Sequence, residues 1–162
     1  MTNVTKNAPG RTMLLVTGIL FIVFNAFSFL FTPVTLLTID WWLMDFGGEA
    51  MRDTWVLYYS LSMILSIFAV IVGILGVAFC NKIHKAGMLL VLAIICVALT
   101  LIYDVAYTVA IISNSAGGFL TMGVTTVISI PIGLIVPILL IVGAAKNKKA
   151  ANFDDEYGGR RY

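Results

Sequence analysis

Four stretches of this chain are free of charge over lengths that suit a helix crossing a lipid bilayer. No Lys, Arg, Asp or Glu falls between Arg11 and Pro33, from Thr54 to Asn81, from Ala86 to Tyr103, or from Val105 to Ala145. A spanning helix takes ~20 predominantly apolar residues. The last stretch exceeds that, and the turn formers of Asn114-Ser115-Ala116-Gly117-Gly118 divide the chain there. Spans are therefore predicted near 12–32, 55–79, 87–112 and 119–144. Composition points the same way: 60% of the 162 residues are hydrophobic and 11% charged, with a mean hydropathy of +1.04. An ordinary soluble domain carries ~25% charged residues, too many to draw from this chain. The expected fold class is an all-α integral membrane protein, an up-down bundle of four transmembrane helices forming one domain over 1–145, with a flexible tail over 146–162.

The charges that remain sort by side. Lys6 and Arg11 precede the first span, Lys82 and Lys85 flank His84 between the second and third, and Lys146, Lys148 and Lys149 follow the fourth. Loops on the cytoplasmic side accumulate Lys and Arg, so both termini are expected there, in a plasma membrane. The loop on the opposite side carries Asp40, Asp45, Glu49 and Asp53 against Arg52 alone. A net charge of +2 with no basic patch gives no nucleic-acid surface. The basic start, apolar run and small residues around Ala26 imitate a signal peptide. The run continues through Phe29, Leu30 and Phe31, so retention as an anchor is expected.

Residues 33–54 form the one sizeable loop, and all three tryptophans, Trp41, Trp42 and Trp55, lie in it or at its edge. Ile39, Trp42, Leu43 and Phe46 recur at helical spacing, with Thr38 placed to cap the start and Gly47-Gly48 to end it. A short amphipathic helix on the outer membrane surface is predicted. Two roles fit it: a lid on its own bundle, or, with Trp41, a docking surface for another membrane protein.

A carboxylate at membrane depth is costly and marks either a polar contact between helices or a site for protons or ions. Asp104 is such a residue. At ~1.5 Å per residue, Asn25, Ser62 and Thr126 fall at its level on the other three spans. Ser66 lies a turn deeper, and Tyr103 and Tyr107 flank Asp104 on its own span. Pro131 lacks an amide hydrogen and frees the Val127 carbonyl at the same level. No span supplies a Lys or Arg partner, so a buried Asp104 is expected to be neutral near pH 7. Three readings stay open: a knot fixing helix register, a proton or cation site, and a contact with a partner subunit.

Small residues recur along the second span at Ser62, Ser66, Ala69, Gly73 and Gly76, with Gly18, Asn25 and Ser28 on the first. Such stripes let a neighbouring backbone approach closely. Motifs for nucleophilic or phosphate chemistry are absent from the sequence. One histidine and two cysteines, Cys80 and Cys96, suggest neither a metal set nor a disulfide, so no cofactor is expected.

The Val16–Phe27 stretch VTGILFIVFNAF, the small outer loop, the short basic inner loop and the lysine-ended last helix resemble the small bacterial four-helix membrane proteins of unknown function. The likeness is one of hydropathy and length, and it implies the fold and a bacterial membrane but no activity. The chain lacks the Cys-Cys-Gly loop of tetraspanins, the loop signature of claudins and the first-span Glu of small multidrug transporters. The expected function is a non-enzymatic accessory or scaffold subunit that binds other membrane proteins or itself. The alternative is a small oligomeric channel or proton-coupled transporter built around Asp104.

Overall fold

A computed structural model describes residues 8–40, 52–114 and 119–158, with side chains described outside 111–132 and 153–158. Four helices make up almost all of it: α1 (Arg11–Leu37), α2 (Arg52–Ala78), α3 (Ala86–Asn114) and α4 (Phe119–Gly158), with a 3-10 turn at Ile83–Lys85 between α2 and α3. No strand occurs among the described residues. Arg11–Leu37, Arg52–Ala78 and Ile83–Ala110 are each long and apolar enough to cross a membrane, which makes this a membrane protein.

Two helices run past their expected ends. The proline at 33 lies inside α1, where its ring leaves one carbonyl of the preceding turn without an amide donor. Helix α1 ends instead at Thr38, whose amide bonds the Val34 and Thr35 carbonyls. The Thr38 hydroxyl also turns back, to the Val34 carbonyl at 2.9 Å, so this side chain serves the helix behind it. Helical backbone resumes at Ile39 and Asp40. Trp41, Trp42, Leu43 and Phe46, expected on the surface helix, lie outside the described residues. Helix α4 continues through Gly158, well into the stretch expected as a flexible tail.

Helix α1 packs most extensively against α2 and also touches α4, while α3 packs against α4 and, more sparingly, α2. The α1–α2 contact is a crossing of small residues. A methyl group added at Gly18 would stand 2.9 Å from the Gly73 carbonyl oxygen, and one added at Gly73 would stand 2.9 Å from that of Gly18. Ser66, Ala69, Val72, Gly73 and Gly76 are the buried residues of α2, and Gly73 and Gly76 of the second-span stripe meet Leu14, Gly18 and Ile22 of the first span of the same chain. Without a hydrophobic drive between helices in lipid, this closeness supplies the van der Waals contact that holds the pair.

Burial is uneven along the helices. Among the described side chains, the core cluster of Leu14, Phe21, Ala69, Val72, Leu89, Ala93, Cys96, Leu140 and Ala144 lies in the half nearer the basic segments, with Thr32 and Ile39 buried nearer the other end. In the other half of α1, Phe24, Phe27, Leu30, Phe31 and Val34 are all exposed.

Candidate functional site

Asp104 is half-buried on α3. At 100° per residue, it shares the inward stripe of Leu89, Ala93, Cys96 and Tyr107, while the opposite side of the helix carries the exposed Ile102, Val105 and Val109. The sequence places it near the middle of a span, and the structure turns it towards the other helices. Among the described residues no hydrogen bond to its carboxyl group is present; its backbone carbonyl accepts one from the Thr108 hydroxyl at 2.7 Å.

Tyrosines form the most developed structure at this level. The Tyr58 ring of α2 stacks on two rings of α3, that of Tyr103 at 4.6 Å and that of Tyr107 at 3.8 Å between centroids. Residues four apart on a helix lie one above the other, so Tyr103 and Tyr107 offer a ladder on which one ring from the facing helix rests. Trp55 closes the outer end, edge-on to Tyr107 at 5.7 Å and stacked on Tyr59 at 5.8 Å. The Tyr103 hydroxyl donates to the Tyr58 carbonyl at 3.4 Å and lies beside the Ser62 hydroxyl, one turn further along α2. Ser62, Tyr103 and Tyr107 are thus brought together around Tyr58.

Asn25 takes another course. Its amide donates to the Phe21 carbonyl of its own helix at 2.8 Å. The same one-turn-back pattern satisfies Thr17, Ser28, Thr32 and Thr35 on α1. Ser66 is buried on α2. The side chains of Thr126 and Pro131, members of the expected polar layer and its support, lie outside those described. Ile39 is buried, and an exposed ion pair joins its neighbour Asp40 to Arg52 at 2.7 Å across the outer loop. No group of three His, Cys, Asp or Glu side chains comes together among the described residues.

The strongest polar construction lies at the opposite, basic end, where Asn147 has no exposed surface. Its Oδ1 accepts the Gly10 amide hydrogen at 2.6 Å, and its Nδ2 donates to the Cys80 carbonyl at 2.9 Å. Beside it, the Ala8 amide donates to Asn81 Oδ1 at 3.1 Å. One side chain therefore ties the start of α1, the end of α2 and α4. Gly10 is required for the approach, since a methyl there would overlap the Gly143 carbonyl oxygen. Sequence reasoning passes over Asn147 because it stands among Lys146, Lys148 and Lys149, where a polar residue reads as solvated. The available signal was an asparagine within a turn of Gly143 and facing Gly10, but only the fold joins the two.

Comparison of the chain with known protein families, with curated proteins and with solved structures found no match in any of the three.

Proposed function

We propose that this protein is a non-enzymatic four-span membrane subunit, an up-down bundle with both termini on the cytoplasmic side, that acts as an accessory or scaffold for other membrane proteins. The observation that carries this reading is the closed basic half. Leu14, Val72, Leu89 and Leu140, all without exposed surface, fill the space between Asp104 and the basic end, and the Asn147 contacts lie beyond them. A carrier or channel centred on Asp104 needs access to that end as well. The exposed ring-bearing stretch of α1, with Phe27 stacked on Phe31 at 6.2 Å, gives the outer half a lateral surface suited to another membrane helix.

The alternative, a channel or proton-coupled transporter around Asp104, draws on one observation: this half-buried carboxylate shares the inward stripe of α3 with Tyr107, which stacks on Tyr58 of α2. One experiment weighs the two. The tagged protein is isolated in gentle detergent at native expression level, and the intact complex is weighed by native mass spectrometry. A stoichiometric partner membrane protein is the expected result. A lone monomer or homo-oligomer, joined to proton flux in liposomes that Asp104→Asn abolishes, would replace the accessory reading with the alternative.

A further inference from the structure

We infer that the basic end is a binding site for anionic phospholipid headgroups, a collar of lysines from separate segments held at one level by Asn147. Its two hydrogen bonds put residues 10, 80 and 147 side by side, and the Ile83–Lys85 turn packs against α4. Lys82 and Lys85 at that turn and Lys146, Lys148 and Lys149 on α4 thereby stand at one end of the bundle. All five are exposed, whereas Ala86, Leu89, Ala144 and Asn147 at the same end are buried. The Lys82 ammonium lies 5.2 Å from the centre of the Phe79 ring, so its stem runs along an apolar flank with the charge at the rim.

Position selects the ligand. These lysines begin where the charge-free stretches end, at the depth of lipid phosphates, and basic pockets between spanning helices on one side of a membrane bind anionic headgroups. Among the described side chains, no carboxylate stands at this level. Asp40, Arg52's partner, and Asp53 belong to the opposite end. Asp154, Asp155 and Glu156 follow Asn147 by seven to nine residues of continuous helix, or ~10 to 14 Å further along α4 at ~1.5 Å per residue. A general preference of cations for one side requires only their number. A collar requires the segments that carry them to be held at one level, and the Asn147 contacts join those segments.

The test compares thermal unfolding in nanodiscs of phosphatidylcholine with unfolding in nanodiscs containing added phosphatidylglycerol. A ligand that binds the folded state raises the midpoint, and a rise of about 4 °C or more is expected. The triple variant Lys82→Gln/Lys85→Gln/Lys146→Gln should lose most of that increment while unfolding normally in phosphatidylcholine. Arg160→Gln/Arg161→Gln, which removes the same sign of charge outside the proposed set, should keep it. Should the triple variant fail to fold, the wild type in about 1 M salt, where charges are screened beyond about 3 Å, must lose the increment. Equal midpoints in the two lipids, an increment that survives the triple variant or the salt, or the same increment from inorganic phosphate in phosphatidylcholine would overturn the inference. None of these outcomes bears on which protein the chain binds.

Discussion

Asn147 is buried between two exposed lysines, and both ends of its amide are used. Replacing it with leucine removes the acceptor of a buried Gly10 amide and the donor to the Cys80 carbonyl together. A buried group left without its partner costs about 1 to 3 kcal/mol, so Asn147→Leu should lower unfolding stability in detergent by about 2 to 4 kcal/mol, less whatever water recovers at this end. Asn147→Asp keeps an acceptor for Gly10 but sets a carboxylate without exposed surface against the Cys80 carbonyl, so its loss should be at least as large near pH 7 and shrink at low pH, where the protonated carboxyl can donate to that carbonyl. A loss for Asn147→Asp that does not change with pH, read by denaturant titration, would show that volume and not hydrogen bonding sets the role of this position. Asp104 makes the opposite point. Its cost at membrane depth was readable from composition alone, but the side chains around it were not, because equal depth on four helices does not fix which way each residue turns. Asn25 shares the expected depth and still bonds its own helix one turn back.

Between elements, the closest approach is that of Gly18 to Gly73. Added methyl groups would stand 2.9 Å from a backbone oxygen in either direction, and backbone cannot yield as a flexible side chain does. Gly18→Ala should therefore destabilise the protein by about 1 to 3 kcal/mol, the usual range for overfilling a packed contact. At Gly87, in the first turn of α3, a methyl would meet nothing within 4 Å. There the better helix propensity of alanine should leave stability unchanged or raise it by up to about 1 kcal/mol. Unfolding measured for the pair in one detergent checks both, and a shared sign would refute the packing argument. The stripe of small residues was visible in the sequence, since periodicity alone marks one face of a helix. Its partner was not, because a stripe states only that some backbone comes near.

Among the described residues at the scale of the whole bundle, the buried apolar cluster lies toward the basic end while much of the far half of α1 is exposed, and lipid makes that contrast measurable. Leu140 is completely buried and its Cδ1 would lie 3.2 Å from a methyl at Gly76, whereas Leu30 in the outer half of α1 is 65% exposed. In water both leucines would gain from burial. In a bilayer, acyl chains replace what truncation removes from an exposed face, and only a closed interior is left with a cavity. The three charge-free spans were legible for the related reason that lipid excludes charge whatever the helices pack against. The continuation of α4 was not, since Lys146 ends the charge-free stretch while lysine and alanine still favour helix beyond it. Leu140→Ala should cost about 1 to 3 kcal/mol, below the usual range for soluble cores because the water-transfer part is missing, and Leu30→Ala should cost less than about 0.5 kcal/mol. The pair, measured by unfolding of the protein in bicelles, separates a closed basic half from a uniformly loose bundle. Similar costs at both positions would mean that the outer face of α1 is also covered by protein, as in a tightly held complex, and the same measurement on monomer and assembly would locate the contact on this helix.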